Sequence, residues 1–182
     1  MGKNNDNIPK EQLLEDLDSS FSKVALQDIE RSLAENTNLS VFILGVCLID
    51  ALAGFRFGKE TKYDGQDGPR FKKFVKIYLK EYNANDLWDI RNGLLHSYVV
   101  KGYNFVNKKR YLHNPTKQGE KIINDENFYD DIETAYQVFR RHILDDKNQG
   151  KILENVKKRL PLGLMKIMPY ALARENKNHE KR

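Results

Sequence analysis

The segment 38–57 constrains the fold of this chain more than any other part of the sequence. A helix over this segment is apolar around most of its circumference. Such a helix has to be buried on most sides, and small residues in it let neighbouring helices approach its backbone closely. The sequence therefore predicts a central, closely packed helix over 38–57. The small residues in this segment include Gly45, Ala51, Ala53 and Gly54.

Helical periodicity extends over most of the remaining chain. Apolar residues recur at intervals of mostly three and four over 9–35, and Ser19-Ser20 marks a candidate break in that helix. The sequence as a whole therefore predicts an all-α fold. Further helices are predicted over 70–82, 84–100, 126–146 and 149–160.

The segment 101–125 departs from the helical pattern. Its apolar residues come in short groups separated by turn residues, which is typical of a small β-hairpin or an ordered loop inserted into a bundle. The sequence contains no repeat and no long low-complexity linker, so residues 1–173 are expected to form a single helical domain. The charged residues 174–182 are expected to form a flexible tail.

Amino-acid composition limits the binding partners and the cellular compartment that are expected for this protein. Lys and Arg number 31 against 26 Asp and Glu, and this net charge of +5 is compatible with a polyanionic partner without identifying one. Cys47 is the only cysteine, so an intrachain disulfide is impossible and a reducing compartment is expected. Residues 1–10 lack the apolar core of a signal peptide, and the longest apolar stretch, 41–49, is shorter than the roughly 20 residues that span a bilayer. We therefore expect a cytoplasmic protein with no membrane segment.

The segment 86–100 carries the residues most suited to chemistry. It places Arg91, Asn92, His96 and Tyr98 on one short apolar helix. Arginine binds phosphate through a planar fork of donors, and histidine is the side chain best suited to move protons near neutral pH. Together they indicate chemistry on a phosphodiester.

The predicted helix 84–100, with Asn83 as its N-cap, has two separate apolar arcs. The first arc, which ends at Tyr98, should face the core. The second arc either packs within the same domain or meets the same stripe of a second copy across a two-fold axis. The second arrangement would gather two arginines and two histidines into one cleft, whereas Arg91 and His96 of one helix lie about 140° apart. The second arc consists of Trp88, Leu95 and Val99.

The run Arg91-Asn92-Gly-Leu-Leu-His96 resembles the R-x4-6-H signature of HEPN domains (higher eukaryotes and prokaryotes nucleotide-binding), in which a polar residue follows the arginine. Its continuation through Tyr98 is similar to the R-x4-H-x-Y form of HEPN toxins that are paired with nucleotidyltransferase antitoxins. The same R-x4-H spacing recurs at 174–179, but that polar segment has no apolar helix and no following tyrosine. The segments 101–125 and 149–182 look like additions to a minimal HEPN bundle.

The resemblance implies a HEPN-like helical bundle, a homodimer with a composite site, and a metal-independent endoribonuclease that needs no cofactor. In some members of the family the tyrosine at the position of Tyr98 is AMPylated by the antitoxin. A role in a toxin–antitoxin system or in antiviral defence is implied by resemblance alone. The runner-up is a non-catalytic HEPN-type module that binds a protein, a nucleotide or RNA.

The hypothetical mechanism assigns a role to each polar residue of the motif. Neutral His96 takes the proton from an RNA 2′-hydroxyl, which attacks the adjacent phosphate. Arg91 holds the phosphate oxygens and stabilises the charge that grows on them. Asn92 orients the imidazole or donates to the phosphate. Asp50, inside an apolar run, is costly to bury alone and is expected to cap a neighbouring helix or to pair structurally with Arg91 or Arg56.

Further basic residues could follow an RNA backbone, although such ridges are usually solvated faces. No cluster of Cys, His and carboxylate residues has the spacing of a metal site, so no metal is expected. The candidate RNA-binding residues are Lys72, Lys76, Lys80, Lys108, Lys109 and Arg110.

Overall fold

The computed structural model describes residues 8–58, 65–100, 102–115, 121–145 and 149–159. The fold over these residues is all-α with one small sheet, which confirms the predicted class. The predicted tail 174–182 and the second R-x4-H match at 174–179 lie outside the described residues. The helices are α1 (Lys10–Ser20), a π-helical turn (Phe21–Leu26), α2 (Gln27–Ala34), α3 (Asn38–Phe57), α4 (Asp67–Tyr78), α5 (Ala84–His96), α6 (Asp125–Leu144) and α7 (Gln149–Arg159).

The helix α3 is the centre of the bundle, as its composition predicts. It packs against α2, α4, α5, α6 and α7. At Gly45 a Cβ would lie 2.6 Å from Phe128 and 2.7 Å from Ile132, so the absence of a side chain is what lets α6 approach. By length and composition alone α3 could cross a membrane, but more than half of it is buried within the bundle, as in the core helix of a globular protein.

The predicted break after Ser19-Ser20 takes the form of a change in helix type. The helix continues without interruption from α1 into α2, but the turn Phe21–Leu26 is π-helical. Within that turn Phe21 packs edge-on against Phe55 of α3 and Tyr136 of α6, with ring centroids 5.3 Å and 6.1 Å away. The wider turn therefore coincides with a buried aromatic contact between three helices.

The two strands are β1 (Tyr103–Val106) and β2 (Lys121–Asn124), and they pair in parallel. Of the two alternatives predicted for 101–125, a β-hairpin or an ordered loop, the β-hairpin is therefore wrong. Between the two strands in the sequence, Asn114 makes an antiparallel bridge with Ile122 of β2. The chain at Asn114 therefore runs opposite to β2, whereas β1 runs in the same direction as β2. The short 3-10 helix Arg110–Leu112 lies between the strands. Phe105 stacks on Phe42 of α3 at 4.1 Å, which fastens the sheet to the bundle.

Candidate functional site

The start of α5 is fixed in the way that the sequence predicts. The side-chain oxygen of Asn83 accepts hydrogen bonds from the backbone N–H groups of Asn85 and Asp86, at 2.9 Å and 3.2 Å. The carboxylate of Asp86 in turn accepts from the hydroxyl of Tyr103 at 2.9 Å and from the ammonium of Lys121. The first turn of α5 is thus tied to both strands, while Leu87, Ile90 and Leu94 bury its core-facing side.

The end of α5 differs from the prediction, because the helix stops at His96 rather than continuing to residue 100. The carbonyl of Gly93 accepts from the N–H groups of Ser97 and Val99, at 3.1 Å and 3.3 Å. Tyr98 takes a left-handed conformation with φ of 55°, which turns the chain back over Gly93. Tyr98 consequently does not face the core as predicted, and its side chain is 73% exposed.

Both terminal nitrogens of the Arg91 guanidinium group donate to neighbouring side chains. Its Nη2 pairs with the carboxylate of Asp50 on α3 at 2.6 Å, and its Nη1 donates to Asn92 Oδ1 at 3.1 Å. Of the two arginines proposed as partners for Asp50, the structure therefore places Arg91 there, while Arg56 donates to the hydroxyl of Tyr78 at 2.9 Å. The Nε of Arg91 is buried and has no hydrogen-bond partner among the residues described.

Arg91 faces a cavity of about 270 Å³ between α3, α4, α5 and α7 that we call the Arg91 cavity. Two further guanidinium groups line it, from Arg70 of α4 and Arg159 of α7. Arg70 forms an ion pair with Asp67 at 2.7 Å, and its residue is only 9% exposed. The cavity therefore combines three cations with two carboxylates, and its excess of positive charge suits an anion.

Arg159 reaches the cavity because Gly54 leaves it room. A Cβ at Gly54 would lie 2.3 Å from Arg159 Nη1, and that nitrogen is buried without a partner in the described part of the chain. Burial is the main cause that lowers the pKa of Arg159, and the charge of Arg70 lowers it further, while Asp50 and Asp67 act in the opposite direction. A bound anion would relieve this crowding of like charge.

Arg70 and Arg159 were not predicted as residues of this site. They lie far from Arg91 in the sequence and belong to no motif that the sequence displays. The small residue Gly54 was the only available signal, and it indicated close packing without naming the neighbour.

His96 lies apart from the Arg91 cavity within one chain. It is the last residue of α5, its side chain is exposed, and the cavity is lined instead by the preceding residue, Leu95. This separation agrees with the angle expected between the two positions on a helix. The described residues of a single chain therefore do not bring Arg91 and His96 together.

The predicted stripe of Trp88, Leu95 and Val99 is not one continuous surface. The ring of Trp88 packs within the chain against Phe71, with centroids 5.3 Å apart, and covers Gly68. Leu95 is partly buried at the Arg91 cavity, and Val99 lies beyond the end of the helix with 53% of its surface exposed. The stripe breaks because α5 ends at His96, so the exposed apolar surface here consists of Tyr98 and Val99.

The predicted RNA-binding residues do not form one ridge. The helix α4 ends at Tyr78, so Lys80 lies beyond it, whereas Lys72 and Lys76 remain on the helix. Arg110 is engaged by two carboxylates, Glu126 at 2.9 Å and Asp130 at 2.7 Å. Lys108 and Lys109 are exposed, and in the sequence they follow β1 and precede the 3-10 helix.

The surroundings of Cys47 disfavour a catalytic role for its thiol. Burial raises the pKa of the Cys47 thiol despite the charge of Arg91 nearby, which disfavours a nucleophilic thiolate. That cationic neighbour was not evident from the sequence. Among the residues that the structure describes, no group of His, Cys, Asp and Glu is arranged to hold a metal ion.

Comparisons with family models, curated proteins and solved structures found no match to this chain. The resemblance to HEPN domains therefore rests on the residues of α5 and the turn that follows it.

Proposed function

We propose that this protein is a metal-independent endoribonuclease of the HEPN type whose site is assembled from two copies of the chain. The observation that carries the proposal is the placement of Arg91. Its guanidinium lines a cavity with two more arginines, and its Nε has no hydrogen-bond partner among the described residues, while a histidine lies exposed five residues further on. A triple guanidinium site suits a phosphate, and an exposed imidazole suits proton transfer.

The need for a second copy follows from the separation of these two groups. The imidazole of His96 does not line the Arg91 cavity of its own chain, so a neighbouring chain has to supply it. Beside His96 lie Tyr98 and Val99, which expose 73% and 53% of their surfaces. Exposed apolar residues next to the candidate site favour contact between copies at this end of α5.

The proposed reaction is transesterification within RNA. Neutral His96 removes the proton of a 2′-hydroxyl, and that oxygen forms a bond to the adjacent phosphorus while the bond to the 5′-oxygen breaks. The leaving oxygen takes up a proton, which gives a 2′,3′-cyclic phosphate and a 5′-hydroxyl. Arg91 stabilises the charge on the phosphate oxygens, and the contact from Asn92 holds the guanidinium in place.

The test is cleavage of single-stranded RNA in the presence of a metal chelator. We expect Arg91→Ala to lower the rate by about 10²- to 10³-fold, as loss of a transition-state donor does. We expect His96→Ala to lower it by about 10²- to 10⁴-fold. Asp89→Ala, at an exposed position of the same helix, is the matched control and should cleave like the parent protein. Undiminished cleavage by both site variants would refute the proposal.

A specific observation favours a second candidate, a non-catalytic module that binds RNA, a nucleotide or a protein. The ion pair between Arg91 and Asp50 is short, and its side chains are only 17% and 26% exposed, as in a structural pair. This candidate predicts that the parent protein binds its ligand and never cleaves it. End-group analysis of RNA recovered after long incubation separates the two candidates.

The resemblance also proposes a regulator, an antitoxin of the nucleotidyltransferase type that modifies Tyr98. The exposed position of Tyr98 in a single chain supports access by such an enzyme before two copies meet. Incubation with an adenylyltransferase and ATP, followed by mass spectrometry of the parent and of Tyr98→Phe, tests this regulator.

A further inference from the structure

We infer that a second cleft, which shares Arg70 with the Arg91 cavity, binds the phosphate backbone of the RNA strand. We call it the α4–α7 cleft. It lies between the end of α3, α4 and α7, has a volume of about 350 Å³, and carries cationic side chains from all three helices. This inference rests on the proposed function, because it names the path by which the substrate strand reaches Arg91. The cations that line the cleft are Arg56, Arg70, Lys73 and Lys151.

The charge of this cleft is of one sign. Of the described residues that line it, four are cationic and none is acidic. The Arg91 cavity differs in this respect, because Asp50 and Asp67 offset two of its three arginines. Asp67 offsets the charge of Arg70 from outside the cleft, and no described carboxylate lines the cleft beside Arg56, Lys73 and Lys151. A concave surface with an excess of positive charge concentrates field lines and attracts a polyanion. The α4–α7 cleft is therefore better suited than the Arg91 cavity to hold a strand by its charge alone.

The walls of the cleft hold the cations in place. The guanidinium carbon of Arg56 lies 5.1 Å from the centre of the Phe57 ring, and the ammonium nitrogen of Lys73 lies 4.9 Å from it. The side chain of Asn155 on α7 donates to the backbone carbonyl of Arg56 at 3.1 Å, which fastens α7 to the end of α3. The cleft is thus built by tertiary contacts between helices and not by one flexible loop.

The charge of Arg56 is not cancelled by its hydrogen-bond partner. Arg56 donates to the hydroxyl of Tyr78, and burial raises the pKa of that phenol. The phenol therefore stays protonated and neutral near neutral pH, so Arg56 remains available to an anion as a full charge.

Arg70 joins the two sites. Its residue lines both the α4–α7 cleft and the Arg91 cavity. A ligand that places a phosphate in each site must carry phosphates in series, as an RNA strand does and a nucleoside monophosphate does not. The juxtaposition of the two sites therefore favours a strand over a nucleoside monophosphate.

The experiment measures binding of a 2′-O-methyl RNA oligonucleotide, which has no 2′-hydroxyl to attack. Lys73→Glu/Lys151→Glu reverses two exposed cations of the cleft. Lys23→Glu/Arg141→Glu makes the same change of charge at two exposed cations that line neither the cleft nor the Arg91 cavity and are not candidate RNA-binding residues, and is the matched control. Lys73→Gln/Lys151→Gln removes the charges without reversal, and thermal unfolding verifies that every variant is folded.

We expect the cleft reversal to weaken binding at low salt at least about tenfold more than the control reversal does. The slope of log K against log salt should become shallower by about 1.4 in the cleft variants, which corresponds to two lost contacts with a single strand. Equal losses in the cleft and control variants, or no loss in either, would overturn the inference. Competition by AMP as strong as that by the oligonucleotide, at equal phosphate concentration, would overturn the assignment to a strand.

The outcome separates this inference from the proposed function. Binding that depends on the cleft, in a parent protein that never cleaves ordinary RNA, would support the cleft and refute the ribonuclease. Cleavage by the parent protein, with binding unaffected by the cleft variants, would refute the cleft and retain the ribonuclease.

Discussion

Arg91 is positioned by two hydrogen-bonded contacts and by the Trp88 ring, whose centre lies 5.0 Å from the guanidinium carbon. The carboxylate of Asp50 holds one terminal nitrogen and the amide of Asn92 holds the other, while Nε is buried with no hydrogen-bond partner in the part of the chain that the structure describes. A guanidinium is planar, so two fixed corners determine where its third donor points. The ion pair between Asp50 and Arg91 also joins α3 to α5, so we expect the loss of Asp50 to lower the free energy of unfolding.

We predict that Asp50→Ala destabilises the protein by about 1–3 kcal/mol, because it leaves a largely buried guanidinium without its counter-charge. Asp50→Asn should cost less, since the amide oxygen can still accept from Nη2. Urea unfolding measures both. The control is Asp28→Ala, which removes a more exposed ion pair with Arg31 and should cost less than about 1 kcal/mol. A loss at Asp50 no larger than that at Asp28 would contradict the structural role.

A second residue-scale prediction concerns His113. Its Nδ1 accepts from the backbone N–H of Asn124 at 3.2 Å, and burial lowers its pKa despite the opposing charges of Asp131 and Glu81. A folded state that resists protonation loses stability as pH falls below the usual histidine pKa of about 6.5, because the unfolded chain binds the proton more readily. Protonation would also leave the buried Asn124 amide without its acceptor.

The free energy of unfolding should therefore be lower at about pH 5.5 than at about pH 7.5. His113→Asn keeps an acceptor but does not titrate, so the difference between the two pH values should shrink in that variant. Denaturant melts at both pH values measure the change. An identical difference in the parent protein and the variant would contradict this assignment.

At the scale of the element, the end of α5 depends on Gly93. A Cβ at this position would lie 2.0 Å from the backbone oxygen of Val99, which is too close for any side chain. We predict that Gly93→Ala destabilises the protein by about 1–3 kcal/mol through this overlap, even though alanine is a better helix former by about 1 kcal/mol. The control, Asp89→Ala, lies at an exposed position of α5 and should not destabilise. Thermal or urea unfolding checks both, and a stabilised Gly93→Ala would show that the chain does not turn back over Gly93.

The same turn places Tyr98 in a left-handed conformation, with φ of 55°. A non-glycine residue is strained there, and the exposed side chain contributes little packing. We predict that Tyr98→Gly, measured at a concentration at which the chain is monomeric, leaves stability unchanged or raises it by up to about 1 kcal/mol. Tyr98→Phe keeps the strain and should match the parent protein under the same conditions. A clear loss of stability in monomeric Tyr98→Gly would mean that the phenol packs within its own chain.

At the scale of the whole molecule, the features that are local in sequence were the ones that could be predicted. The central helix α3 follows from its apolar composition, and the start of α5 follows from the capping preference of Asn83. The end of α5 was predicted wrongly, because its last turn is decided by the return of the chain over Gly93. That return is a contact between backbone segments, which apolar periodicity does not encode.

The features set by contacts between distant segments were missed. The strands pair in parallel, and an antiparallel bridge at Asn114 lies between them in the sequence. Tertiary contacts determine this direction, and the local sequence pattern does not encode them. In the same way, Arg70 and Arg159 join Arg91 because α4 and α7 both pack on α3. The motif predicted one arginine of the candidate site, and the bundle supplies the other two.

Mixing two inactive variants shows whether one site is shared between two copies of the chain. Arg91→Ala and His96→Ala are unfolded together, refolded as a mixture, and assayed for RNA cleavage with a chelator present. A mixed dimer has one intact pair, with Arg91 from one chain and His96 from the other. We expect the mixture to recover about one quarter of the parent activity, because half of randomly paired dimers are mixed and each has one of two sites intact. A mixture of folded dimers as inactive as the separate variants would contradict it.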